Sequence, residues 1–219
     1  MMNLTVRKSG GSWCYIDNSG VVLKKLQVDE AFNFSEGMAA IRLHKCIGYI
    51  DDKFKIVVEP KYGMFCSDFK DGHAVVCEPY SVNLDNPKYG YINKNGKEVI
   101  PLIYESANLF YEGVAVVKKG GKWGVINKKG NMIINFKYDM LSNCFDGLFL
   151  FAIDHKIGVV DKKGKELALS KNIDEELFHE EIYDLFLDIE NINLIEKYDE
   201  KNVKYILQTE SMEVKLNKI

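Results

Sequence analysis

His44 and Cys46 stand two residues apart, a spacing that lets both side chains share one face of a strand and reach one zinc ion. A structural zinc site closes with four ligands, and no second pair at ligand spacing accompanies these two. His73 follows a turn glycine, His155 precedes a hairpin and His179 sits in a helical stretch, so each reads as a surface histidine. Cys66, Cys77 and Cys144 fall at apolar strand positions and read as small core residues, although a thiol nucleophile could still be assembled by the fold. The paired carboxylates Asp51-Asp52 lie at a hairpin turn, where Asp is favoured for turn chemistry. The chain has no GxSxG, no phosphate-binding P-loop and no GxGxxG. No catalytic, cofactor-binding or metal-binding residue is assigned on this basis, and a non-enzymatic role is expected.

The elements that would position any such group recur. Trp13-Cys14, Ile47-Gly48, Tyr89-Gly90, Trp123-Gly124 and Ile157-Gly158 are spaced by 34, 42, 34 and 34 residues. Each pair precedes [YV]-[IV]-[DN] and then a turn: DNSG at 17–20, NKNG at 93–96, NKKG at 127–130 and DKKG at 161–164, with DDKF at 51–54 lacking the glycine. FSEG, FKDG, FYEG and CFDG end at Gly37, Gly72, Gly113 and Gly147 and keep the same beat. Tyr62, Tyr104 and Tyr138 form a third anchor. Three anchors in register define five tandem repeats over residues 1–169.

Asp or Asn first and Gly fourth is type I turn chemistry, here flanked by β-branched residues. Each repeat is expected to hold three short strands, exemplified by Val114–Lys118, Lys122–Asn127 and Asn131–Tyr138. VAVV and WGVI are apolar at every position, so these inner strands should be buried on both faces, with the more polar third strand outside. The Trp-Gly pair then reads as a packing device. The aromatic supplies bulk worth about 2–3 kcal/mol when buried, and the glycine leaves a hollow for a neighbour.

The pattern KxW-G-[YV]-I-[DN]-x-x-G, then V-I-P-x-x-Y and F-x-E-G-x-A-x-V, resembles the WG (KWG) β-repeat family of bacterial proteins. The resemblance covers about residues 4–169 and is closest over Tyr89–Val117 and Trp123–Ile134; Cys14 departs from it. It implies tandem β-repeats and an interaction role, and it supplies no catalytic residues. The expected fold is mainly β: antiparallel meander repeats in a propeller-like array, or alternatively an open twisted β-solenoid.

Beyond residue 169 the period stops. Residues 172–190 carry an apolar stripe at helical spacing, Phe178, Ile182, Leu185, Phe186 and Ile189, opposite an acidic face. NLIEKY (193–198) and VKYILQT (203–209) predict a hairpin, extended by MEVKL (212–216). Residues 170–219 thus form a small α/β appendage that caps the array, with 13 acids against 6 Lys/Arg, where residues 1–169 carry 19 against 23. That small basic excess is too slight for a nucleic-acid binder.

Two groups of partner-contact residues stand out. Insertion 79–87 is the one break in the period, which nominates Tyr80, Asn83, Asp85 and Asn86. The acidic face nominates Glu176, Glu180, Glu181 and Asp184, the residues an inhibitor or immunity protein would use against a basic effector. A protein partner is therefore expected, with a small-molecule or glycan ligand as a further alternative. Five cysteines without CxxC, no secretory h-region and no long apolar run point to the cytoplasm and away from a membrane.

Overall fold

In all five repeats the Asp or Asn of the hairpin turn accepts two backbone N–H groups on one side-chain oxygen, at 2.8–3.1 Å. Asp17, Asp51, Asn93, Asn127 and Asp161 each hold the amides two and four residues onward. The fourth turn residue closes on the first, as in Gly130 N–H to the Asn127 carbonyl at 2.9 Å. That residue is left-handed: Gly20, Gly96, Gly130 and Gly164 at φ 74–84°, and Phe54 at 61°. Glu36-Gly37, Asp71-Gly72, Glu112-Gly113 and Asp146-Gly147 take positive φ at both positions, the geometry of a two-residue type I′ hairpin. The FxxG anchor is thus a second hairpin turn, at the other side of the inner strand.

These turns organise a computed structural model that describes residues 4–79 and 86–170, and the strand backbones at 193–199, 202–208 and 213–218. The chain divides into two compact units, Met1–Leu109 and Phe110–Ile219. In the first, β1 (Thr5–Ser9), β2 (Ser12–Ile16) and β3 (Val22–Leu26) form one antiparallel sheet; β4 (Glu30–Ser35), β5 (Met38–Leu43), β6 (Cys46–Asp51) and β7 (Ile56–Tyr62) form the next. β8 (His73–Cys77), β9 (Tyr89–Asn93) and β10 (Glu98–Tyr104) form the third, and β11 is the short strand Ser106–Ala107. In the second unit, β12 (Val114–Lys119), β13 (Lys122–Asn127) and β14 (Met132–Tyr138) pair in sequence. β15 (Met140–Leu141), β16 (Leu148–Ile153), β17 (Lys156–Asp161) and β18 (Glu166–Leu169) follow. The predicted C-terminal hairpin forms from β19 (Asn193–Asp199) and β20 (Asn202–Gln208), extended by β21 (Glu213–Lys218). β21 pairs with β18, Ala168 opposite Lys218. The helix expected at 172–190 lies outside the described residues, which hold no helix.

The sequence predicts three strands per repeat, and the structure adds a short leading one. β4 and β15 are such strands, and residues 63–67 line β8 through Gly63 N–H to Cys77 and Ser67 N–H to Val75, both at 3.0 Å. Inner strands are buried on both faces, as in Met38–Ile41, Ile47–Ile50 and Val114–Val117, and outer strands such as β7, β10 and β14 mix exposed with buried positions.

In the first unit a recurring polar clip ties each sheet to the chain that leads out of it. The buried phenols of Tyr15, Tyr49 and Tyr91 donate to the carbonyls of Phe32 (2.6 Å), Ser67 (2.7 Å) and Asn108 (2.8 Å), each five residues before an FxxG glycine. In the second unit the corresponding residue is Val125, and Tyr138 of β14 instead donates to Glu166 of β18 at 2.9 Å. Trp13 and Trp123 are half-buried, packed against the edges of two apolar clusters. Trp13 also donates its Nε1–H to the Asp29 carbonyl at 3.0 Å. The indoles therefore pack, but the fully buried aromatics that cross between sheets are the tyrosines two positions on.

The hollow at the pair's glycine is filled differently from the expectation. Ile47 faces Tyr62 while Tyr49 faces Val58, so two extra residues of β7 buckle over Gly48; β10 and β14 do the same over Gly90 and Gly124. A Cβ on Gly48, Gly90 or Gly124 would lie 2.4, 2.5 or 2.7 Å from a carbonyl oxygen of its own sheet's outer strand. The occupant is that bulge, and no neighbouring repeat enters the hollow. At Cys14 the register runs unbroken, Trp13 to Leu26, Cys14 to Lys25 and Tyr15 to Lys24, which is why a side chain fits there.

Phe54 has a related logic. The turn glycines Gly96 and Gly164 lie over Val58 and Ile134 of the preceding outer strand. In the first sheet that place, opposite Tyr15, is held by Lys24. The Phe54 ring covers it, 5.6 Å from Tyr15 and 6.1 Å from Phe34, at the cost of a left-handed backbone.

Two substitutions test the bulge. Gly124→Ala should destabilise the chain by about 1–3 kcal/mol through enforced overpacking. Cys14→Gly, which restores the repeat pattern, should also lower stability, by about 1 kcal/mol, because no bulge there needs a glycine. Urea unfolding of both variants reads the outcome.

Candidate interaction surface

Insertion 79–87 emerges at the turn between β8 and β9, where the fourth repeat has Gly120-Gly121. Its base is closed by Glu78 N–H to the Lys88 carbonyl and Lys88 N–H to the Glu78 carboxylate, both at 3.0 Å. Asn86 is exposed on the returning side. Tyr80, Asn83 and Asp85 lie outside the described residues, as do Glu176, Glu180, Glu181 and Asp184.

The groups with chemical potential are dispersed. His44 occupies a left-handed turn position (φ 51°), its amide donating to the Asp29 carboxylate at 2.7 Å. Asp51 is committed to its turn amides. Among the described residues no three His, Cys, Asp or Glu side chains converge as a metal site. Burial, with the Glu112 charge second, pushes the Cys144 thiol up to about 11. Cys66 and Cys77 meet as thiols: their mutual hydrogen bond and burial push Cys66 up, and the bond from Cys66 pulls Cys77 down.

The rim made by the FxxG and DxxG turns carries paired charges. Glu36 accepts the amides of Asp71 (2.8 Å) and Gly72 (2.9 Å) in the following repeat, and Lys94 lies 3.1 Å away. Glu112 repeats the arrangement with the Gly147 amide (3.1 Å) and Lys162 (2.6 Å). The turn lysine at 162 is therefore engaged by an acid.

The outer strands present the apolar surface. Ile56, Ile103 and Met132 are 45%, 43% and 54% exposed, and on β3 Val22 and Leu23 are 45% and 42% exposed. Met64 and Phe65 are 40% and 57% exposed. Four residues lie between Tyr62 and Ser67, where three lie between Tyr138 and Ser142, so the third repeat has one extra residue in its leading segment. That segment bulges at Met64–Cys66, and Gly63 packs directly on the Glu78 carbonyl at the base of the insertion.

The profile of the WG-containing repeat matches residues 13–45, 47–78, 89–123 and 123–156, more than half of the chain. The chain belongs to the WG-repeat family. Among solved structures this WG-repeat chain is similar to the Hsv2 protein of Kluyveromyces lactis with its loop 6CD replaced by a Gly-Ser linker. That match has TM-score 0.50 and 8% identity, over 100% of this chain and 81% of that one. It is also similar to a eukaryotic initiation factor, with TM-score 0.55 and 12% identity, over 96% of this chain and 58% of that one. These likenesses show the fold alone: antiparallel β-sheets in a propeller-like arrangement. Among curated proteins none matches the sequence. The fifth sheet begins at Met140 and continues past the last profile match, so the WG repeats end in a unit recognisable by its hairpins rather than by its full motif.

The paired rim makes a pH prediction. Burial works to raise the Glu36 carboxyl, but the Gly72 amide, Lys94 and the Asp71 amide together hold it below its ordinary 4.5. At Glu112 the Lys162 hydrogen bond acts first and in the same downward sense. A carboxyl with a lowered folded pKa contributes stability that is present above about pH 4.5 and lost as pH falls through the folded value. The Glu36→Gln/Glu112→Gln variant should therefore melt below the parent at pH 7, with the gap narrowing as pH falls below 4.5. Thermal melts across that range give the result.

Proposed function

We propose that this WG-repeat chain is a non-enzymatic protein-interaction module. The observation that carries the reading is the exposed Met64–Phe65 pair beside the base of insertion 79–87. An extra residue pushes two large apolar side chains into solvent at the one position where the repeats carry added chain. Apolar side chains grouped on a surface and rimmed by polar residues favour macromolecular contact. The rest of the architecture suits presentation rather than turnover: ionisable side chains close turns or pair across repeats, and titratable groups do not gather around a common cleft among the described residues. A glycan-binding role would call for grouped exposed aromatics, and the large exposed ones among the described residues are Phe65 in the first unit and Phe145 in the second.

The test places a photo-crosslinking residue at Phe65 in the full chain and compares it with one at the exposed Glu59. The module reading expects discrete protein adducts from Phe65 that unlabelled chain competes away. Met64→Ser/Phe65→Ser should weaken that competition about tenfold without lowering the melting temperature. Equal labelling from both positions, or competition that survives the double substitution, contradicts it.

A further inference from the structure

The outer strands of antiparallel sheets expose unpaired N–H and C=O groups, and among the described strands this chain blunts or covers several of them. β7 and β10 are buckled by two-residue bulges that carry Pro60 and Pro101, which have no N–H to offer. β14 is buckled at the same place without proline. The edge of β18 is covered by the chain's own β21. β3 ends its sheet with neither the two-residue bulge nor a covering strand: after a one-residue shift at Leu23 it runs in unbroken register with β2 from Lys24 to Leu26, and Val22–Lys25 are exposed.

The side chains of β3 say what would pair with it. Lys24, opposite Tyr15, shares a face with Lys8, opposite Trp13, and Lys25 shares the other face with Arg7 across Cys14 of β2. Within residues 4–28 these four cations stand against one acid, Asp17, which is occupied at its turn. A second copy of β3, aligned antiparallel over Val22–Leu26, would set Lys24 opposite Lys24, and like charges directly opposed are unfavourable. An acidic strand meets the same positions with opposite charge. The pairing of β21 onto β18 shows that an outer edge of this fold accepts an added strand.

Resting on the interaction-module reading, we propose that β3 is a strand-addition site for an extended acidic segment of a partner protein. Read antiparallel to Val-Leu-Lys-Lys-Leu, the complementary core is apolar, acidic, acidic, apolar, apolar.

The experiment titrates the full chain with a synthetic peptide of core Val-Glu-Glu-Val-Val and with its Val-Lys-Lys-Val-Val counterpart, following backbone amide shifts and hydrogen exchange. The inference expects the Glu peptide to shift and protect amides within Val22–Leu26. The Lys peptide should bind about tenfold or more weakly, and Lys24→Glu/Lys25→Glu should reverse that preference. It is overturned if the two peptides bind alike, if protection falls on β7, β10 or β14 instead, or if β3 is protected by dilution-sensitive self-association without peptide. None of those failures touches crosslinking from Phe65, so the module reading is decided separately.

Discussion

The phenol-to-carbonyl clip is the interaction on which the array depends. A three-stranded meander cannot bury its own apolar faces, so each sheet must be held against the next at a fixed register. Tyr15, Tyr49 and Tyr91 do this with one buried donor each, aimed at a carbonyl 17 or 18 residues further along the chain. Burial, the largest influence, pushes all three phenols well above their ordinary pKa, so they remain protonated donors. The acceptor carbonyl precedes the FxxG hairpin, so the clip sets where the next pair of inner strands begins. The Glu36 and Glu112 clamps then fasten the far side of that hairpin.

The signature glycine serves a second constraint, within each sheet. Buckling the outer strand over Gly48, Gly90 and Gly124 brings backbone against backbone, which no side chain allows. The buckle also blunts the outer edge, so one local device provides both close packing and protection against unwanted strand pairing. The first sheet lacks the two-residue buckle, and its other departures follow together: Cys14 is tolerated, Lys24 replaces an apolar residue, Phe54 packs beside Tyr15, and β3 keeps an open edge from Lys24 to Leu26. The last sheet covers its edge with β21 instead.

Much of this was legible in the sequence because the turns are chemically explicit. Asp17, Asp51, Asn93, Asn127 and Asp161 announce their hairpins, and uninterrupted apolar runs such as VAVV announce burial on both faces. The leading strands were not legible: EAFNFS in β4 mixes apolar and polar residues without a strand's alternation, and Met140–Leu141 is too short to carry a pattern. The bulk of Trp123 is visible in a sequence, whereas the partner of the Tyr49 hydroxyl across two sheets is not. The buckle over Gly124 was equally hidden, since a bulge has no composition of its own. Of the surface, the insertion was visible as a break in period. The exposure of Phe65 arises from a single extra residue that only register against Tyr138–Ser142 reveals.

Within each unit the interior is committed to packing and turn closure, and the parts that vary are the sheet edges and, in the first unit, one inter-strand turn. Tyr49→Phe probes the central claim most directly, since it keeps the buried ring and removes only the donor to Ser67. The account predicts a loss of about 1–3 kcal/mol in urea unfolding, the cost of leaving that buried carbonyl without its partner. Stability equal to that of the parent chain would contradict it.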